Sequence, residues 1–262
     1  IVLPIEVRVN SVTLPTNPEC STPTAPRRRM ATAERSRQIL EGAIQFFAVH
    51  GFDGQLRDLA KSIGITHALL YHYYPTKQAL VDSVYQEVFV ERWNPLWDAL
   101  LDDTAQSVED KLTRFYADYI NNALTRDFVR ILVFSGLTDR TITDRFFAML
   151  RERLFPRLIR ETRRYRGARL GGKPSVREME LLMGLHGSFF YVTMQRWVYG
   201  QTIYNPDAPP PPLAYSTDLV RDRVRSYLLS SAALFSPGEA TPVSSRRLHK
   251  GRSSSTRTKE TS

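Results

Sequence analysis

Residues 66–73 form an apolar and aromatic run only about two helical turns long, with Gly64 before it and Pro75 after it. A helix that short is not stable alone in water. Whatever the chain folds into must therefore hold this run with its neighbours. Just upstream, Leu56, Leu59, Ala60 and Ile63 recur at helical spacing, Gly64 makes the break, and Thr66 stands in N-cap position. Pro75 and Thr76 then stop the run and open another helix through Leu80, Val84, Tyr85 and Val88 toward Trp93. Helix, tight glycine turn, second helix is the helix-turn-helix plan, whose second helix enters a DNA major groove. Ile39, Leu40, Ala43, Ile44 and Phe47 add a first helix over residues 32–50, ended by Gly51 as C-cap.

The ordered series is Ile39-Leu40 with Ala43 and Phe47, His50-Gly51-Phe52, Leu56-Arg57-Asp58-Leu59-Ala60, Gly64-Ile65-Thr66, Leu70-Tyr71-His72-Tyr73-Tyr74 and Lys77-Gln78-Ala79-Leu80. It resembles the N-terminal region of the TetR family of bacterial transcriptional regulators over residues 35–84. The chain departs from that pattern in a shorter connection from Gly51 to Arg57, in Leu69 where a small polar residue is common, and in Tyr74 where Phe is common. The resemblance implies an all-α fold, with a three-helix helix-turn-helix domain followed by a larger helical ligand-binding and dimerisation domain. It also implies that helix 4 links the two and that the last two helices form a two-fold dimer interface. The function implied is a ligand-responsive repressor. It acts as a homodimer on a palindromic operator in double-stranded DNA and is released by a small apolar or aromatic molecule.

The rest of the 262-residue chain stays helical in pattern, with no alternating strand pattern, no internal repeat and no sustained heptads. Ser107-x-x-Asp110, Thr141-x-x-Asp144 and Ser175-x-x-Glu178 open three helices, and Asp127 is placed to cap a fourth over 128–137. Pro156 should kink or divide the segment opened by Thr141, and Gly167 with Gly171-Gly172 should close it. The last two helices are expected over 175–199 and 216–235, separated by a stiff proline-rich connector at 205–212. The expected division is a disordered extension at 1–30, the DNA-binding domain at 31–80, the ligand-binding and dimerisation domain at 81–236 and a disordered basic tail at 237–262. Met30 stands directly before the helical region, so the proline-rich stretch ahead of it reads as an extension.

A formal net charge of +9 favours a polyanionic partner, unless the charge merely sits in the tails. Arg27-Arg28-Arg29, with Arg35 and Arg37, forms a basic arm that would meet phosphate or the minor groove, or is simply a solvated charge run. The single Cys20 rules out an intramolecular disulfide framework and a cysteine metal cluster. No apolar run approaches the roughly 18–20 residues needed to span a bilayer, and the reading is of a soluble cytoplasmic protein with no membrane partner. Phosphate-binding GxxxxGK[ST], HExxH and GxSxG motifs are absent and no acidic pair suits acid–base work, so no enzyme activity and no cofactor are expected.

The candidate DNA-reading residues are Thr66, His67, Ala68, Leu69, Tyr71, His72 and Tyr73. Ala68 would let the backbone approach, Thr66 and His67 offer hydrogen-bonding groups, and Leu69 would touch a thymine methyl or belong to the core. The tyrosine hydroxyls and Lys77, at the start of helix 4, suit phosphates. Arg57, in the matched second helix, completes the set. Read without the resemblance, the same cluster is ordinary packing of a small three-helix unit. Candidate ligand-binding residues are Trp93, Trp97, Phe115, Tyr119, Phe134, Phe147, His186, Phe190 and Met194, with Tyr116 and Phe146 beside them. Mixed aromatic, Met and His linings suit apolar or aromatic ligands, although each residue reads equally well as plain core. Gly184 and Gly187 would admit a close helix, either within the subunit or across a dimer. The rival reading is an all-α homodimeric ligand-binding protein or enzyme with a non-functional DNA-binding unit. A protein working at a membrane surface would need a basic amphipathic helix, which is not found.

Overall fold

The computed structural model describes residues 32–200 and 214–235. Cys20, the Arg27-Arg28-Arg29 arm, the connector at 205–212 and the 237–262 tail lie outside the described residues, as does the 1–30 extension. Among the described residues there is no strand, and no helix is long and apolar enough to cross a membrane.

Three helices open the fold: α1 (Thr32–His50) and the two short helices α2 (Leu56–Ser62) and α3 (His67–Tyr73). Each buries its apolar stripe toward the other two, with Ile39, Ala43 and Phe47 of α1, Leu59 of α2 and Leu70 of α3 fully enclosed. α4 (Lys77–Tyr85) leaves this unit and runs into a π-helical turn at Gln86–Val90. Next come α5 (Leu96–Asp102) and α6 (Val108–Asp118), the latter widening into a π-helical turn at Tyr119–Ala123. They are followed by α7 (Arg126–Leu137) and by α8 (Thr141–Met149), which widens at Leu150–Leu154. α9 (Phe155–Tyr165), α10 (Val176–Trp197) and α11 (Thr217–Leu234) complete the chain, with α11 packed chiefly on α6 and α10 packed on α7 and α11.

Local chemistry explains most boundaries. Ser175 and Glu178 form the reciprocal capping box at the start of α10. Ser107 Oγ accepts from Asp110 N–H at 3.1 Å to start α6. Pro156 sits in the first turn of α9, where its missing N–H costs nothing, and Gly167 at φ +66° ends that helix. Two expected caps are not used. Thr125, not Asp127, caps α7 by accepting from Phe128 N–H, which leaves Asp127 free to accept from Gln45 at 2.7 Å. Thr141 opens α8 without a side-chain cap. Ser135 Oγ accepts there from the N–H groups of Ile142 and Thr143 instead.

Two ionic groups sit inside the larger domain. Lys111, fully enclosed, meets Glu161 and also donates to Leu101 O (3.2 Å) and Asp103 O (2.6 Å). Glu178 accepts from Arg163 through both oxygens (2.8 and 2.7 Å), from Arg166 and from Ser175 N–H. The Arg163 guanidinium, ahead of the other donors, holds the Glu178 carboxyl far below the usual carboxylate range.

Candidate nucleic-acid interface and effector cluster

The turn between α2 and α3 follows from two residues. Gly64 adopts φ +71°, and Ile65 N–H reaches back to Ala60 O at 3.0 Å, a glycine-dependent helix stop. Thr66 Oγ1 then accepts from Leu69 N–H at 3.2 Å and starts α3 at once. Leu70 points inward and anchors the helix. Thr66, His67, Ala68, Tyr71 and His72 are exposed, Leu69 and Tyr73 half-buried. His67 and Tyr71, one turn apart, meet edge to face at 4.7 Å, and His72 meets Tyr73 at 5.3 Å. The outer side of α3 is thus a strip of aromatic and imidazole groups on a helix held from behind. The departure at Tyr74 has a physical reason: its hydroxyl pairs with Ser36 Oγ of α1 at 3.3 Å, which Phe cannot do.

Arg57 is exposed at the start of α2. Lys77 behaves differently from the free phosphate ligand expected. Its ammonium donates to Phe52 O and Gly54 O (3.5 Å) and so ties the short α1–α2 connection to α4. It forms the back wall of a recess of about 330 Å³ that Arg57, His67 and Tyr71 also border.

The candidate ligand residues do not form one lining. Trp93, Trp97 and Tyr119 do converge, with Phe115 stacked behind Tyr119 at 5.7 Å. His186 lies beyond, its Nε2 3.4 Å from the Tyr119 hydroxyl. Phe190 and Met194 are partly buried against the core from α10. Phe134 faces the other way, onto Gly51. Phe147 points to solvent, because consecutive helical residues diverge and Phe146 takes the inward position. The residues that sequence reasoning missed in the cluster are Phe89, Phe128, Met149 and Leu150, with Ala123 and Arg92 at its margin. Phe89 packs on Phe128 at 4.5 Å and on Phe146 at 5.5 Å.

All three π-helical turns meet here. Each is closed by a bond over five residues: Glu91 N–H to Gln86 O, Leu124 N–H to Tyr119 O, and Phe155 N–H to Leu150 O. They carry Phe89, Tyr119 with Ala123, and Leu150 into the cluster. The space left between these rings is only about 10 Å³, room for a single water. The cluster is closed in this conformation, unlike the open small-molecule cavity expected.

A third surface lies between α10 and α11. A groove of about 630 Å³ is bordered by Leu181, Gly184, Ser188, Leu219, Ser226 and Ser230. A Cβ placed on Gly184 or Gly187 would touch nothing among the described residues, so packing between the described helices does not require glycine there.

Residues 39–84 match the model of the bacterial regulatory proteins of the tetR family. The match is confined to this stretch, which holds α2, α3 and most of α1 and α4. The HTH-type transcriptional regulator LuxR of Vibrio harveyi is 34% identical to the chain over 74 residues, 28% of this chain. That match spans only 36% of the LuxR chain, about a third of its length. Solved TetR-like folds extend the likeness beyond the domain. A putative transcriptional regulator from Pseudomonas aeruginosa PAO1 superposes with a TM-score of 0.56 at 16% identity, covering 78% of this chain and 93% of its own. A TetR-like transcriptional regulator from Rhodococcus sp. RHA1 gives 0.55 at 18%, covering 78% and 99%. The fatty acid degradation regulator FadR from Bacillus halodurans gives 0.54 at 17%, covering 76% and 97%. At these identities the likeness establishes the TetR-like fold alone.

Proposed function

We propose that this chain is a cytoplasmic, DNA-binding transcriptional regulator of the TetR family, a repressor that grips a palindromic operator as a homodimer. The observation that carries the reading is the outer face of α3. Its exposed His67, Ala68, Tyr71 and His72 stand on a helix fixed by Gly64, Thr66 and Leu70, and none of the described residues covers them. The domains run over 31–80 for DNA binding and 81–236 for dimerisation and effector binding. Arg57, the Tyr71 and Tyr73 hydroxyls and the recess in front of Lys77 serve the phosphates. His67, Ala68 and Leu69 face base edges. The aromatic cluster of Trp93, Trp97, Phe89 and Tyr119 receives a small apolar or aromatic effector once it opens. Release requires that the effector bind the open form more tightly than the DNA-bound form.

Selection from a random duplex library by the full chain tests the DNA half. The recovered sequences should carry two inverted half-sites about 34–36 Å apart, one helical turn. Recovery of no shared sequence would overturn the reading.

The dimer half rests on the α10–α11 groove with its small residues, and on the exposed Tyr191 of α10 and Leu229 of α11. Gly187→Trp should leave the subunit folded, since the position is open, but hold the paired helices apart. Light scattering should show a dimer for the unaltered chain at micromolar concentration and mostly monomer for the variant. Equal dimerisation of the two proteins would exclude this face.

A further inference from the structure

α1 and α7 run side by side in the same direction. Asp127 holds Gln45 at 2.7 Å, Arg130 reaches Ala48, and the Phe134 ring lies where a Cβ on Gly51 would come within 3.0 Å of it. The middle rung of this ladder does more than join two helices. Arg130 Nε donates to Ala48 O in the last turn of α1, and its Nη1 donates to Trp197 O, the last residue of α10, at 3.2 Å. Carbonyls in a final helical turn lack an intrahelical partner and carry the negative end of the helix dipole. One guanidinium therefore satisfies two helix ends at once, and the Phe134 ring, 5.6 Å from its centre, backs it. The two ends belong to different functional parts. α1 is the scaffold on which α2 and α3 sit. α10 carries Gly184, Gly187 and the groove with α11.

We propose that Arg130 is a positioning residue that sets where the DNA-binding unit stands relative to the dimer face, by clamping the C-terminal ends of α1 and α10 to α7. This rests on the reading of α10 and α11 as the dimer face and of α3 as the reading helix. The planar fork suits the task because its N–H groups point in fixed, different directions. A lysine ammonium is a compact point charge and lacks that rigid fork. Without the clamp the subunit keeps its core, because Arg130 is only half-buried and the apolar rungs of α1 and α7 remain. What is lost is the fixed angle between the two ends.

The test reads that angle without DNA. Spin labels at Lys61→Cys on α2 and Glu180→Cys on α10, in a full chain carrying Cys20→Ser and diluted into unlabelled chain, report the distance within one subunit. A control pair at Glu152→Cys and Glu180→Cys reports the body of the larger domain. The Lys61–Glu180 distribution should be narrow with Arg130 present, clearly broader in Arg130→Gln and intermediate in Arg130→Lys. The control pair should stay narrow throughout. On the DNA selected by the unaltered chain, Arg130→Gln should bind about tenfold more weakly at the selected half-site spacing. It should also discriminate less against a spacing changed by two base pairs. A Lys61–Glu180 distribution as narrow in Arg130→Gln as in the unaltered chain would overturn the proposal. So would equal broadening of the control pair, which would make Arg130 a general packing residue. If the unaltered chain selects no DNA, the α3 reading fails, and the distance measurement still decides the role of Arg130.

Discussion

Lys111→Met should destabilise the larger domain by about 3 kcal/mol, the low end of the range for breaking a buried ion pair. Both Lys111 and Glu161 are fully enclosed, so removing the cation leaves a carboxylate in the interior. The cost stays at the low end because Arg164 still reaches Glu161 Oε2 at 3.0 Å and Arg160 lies 3.5 Å from Oε1. The ammonium has a second task. Leu101 is in the last turn of α5 and Asp103 follows it, and Lys111 caps both carbonyls. Lys111→Met with Glu161→Leu should therefore recover only part of the loss, since two carbonyls then lack a donor at about 1–3 kcal/mol for each that stays buried. Urea unfolding of the single and double variants measures both terms. A single variant within about 1 kcal/mol of the unaltered chain would mean that the pair does not hold α5, α6 and α9 together. A fully restored double variant would remove the capping role.

Acid should weaken the fold before its carboxylates titrate. Burial among Tyr116, Tyr119 and Phe155 lowers the His186 pKa from 6.5 to about 4. Among the described residues its Nδ1 has no partner and its Nε2 only the Tyr119 hydroxyl, so the surroundings favour the neutral ring. A group whose folded pKa lies below its unfolded value binds fewer protons when folded. Its stabilising share is thus complete above about pH 6.5 and declines as pH falls toward 4. The difference of about 2.5 units corresponds to roughly 3 kcal/mol at the acid end. The Asp and Glu residues with lowered values, Glu178 foremost, act mostly below this window, as the midpoints of their unfolded forms lie at 4.5 and 3.8. His186→Phe keeps an aromatic ring in the same packing and should flatten the slope of stability between pH 4.5 and 6.5. An unchanged slope in that variant would assign the acid sensitivity to other groups.

Sequence reasoning read the DNA-binding unit closely because its cues are local. Gly64, Thr66 and the stripe of Leu56, Leu59 and Leu70 each act within one turn of themselves, and α1 and α2 begin and end where periodicity puts them. Local patterns do not say where a side chain ends up across the fold. Lys77 opens α4 as expected, yet its ammonium finds carbonyls 25 and 23 residues upstream. Asp127 suits a helix cap, but α7 starts earlier, so Thr125 stands three residues before Phe128 and accepts its N–H while Asp127, inside the first turn, turns to Gln45.

The aromatic cluster was the least legible part, for two physical reasons. Adjacent aromatics such as Phe146 and Phe147 cannot face the same way on a helix, and composition does not choose between them. The π-helical turns add a residue to the repeat, so a 3.6-residue count taken through Gln86–Val90, Tyr119–Ala123 or Leu150–Leu154 falls out of register. That is how Phe89 escaped notice, while Phe134, on a regular stretch of α7, faces Gly51 rather than the cluster. Arg130 escaped for the opposite reason. A single arginine in an apolar helix looks like a surface charge until both helix ends beside it are known.

The central claim is that α3 reads DNA, and His67→Ala tests it most directly. Affinity should be measured across a salt titration on the DNA selected by the full chain and on a scrambled duplex of equal length. His67 stands in the first turn of α3, exposed and clear of the core, so its removal should not disturb the fold. The expected loss is about 1–3 kcal/mol for each good base contact, confined to the selected DNA, with the slope against salt unchanged because no phosphate contact is removed. Equal loss on both duplexes, or no loss on either, would contradict the assignment of α3 as the reading helix.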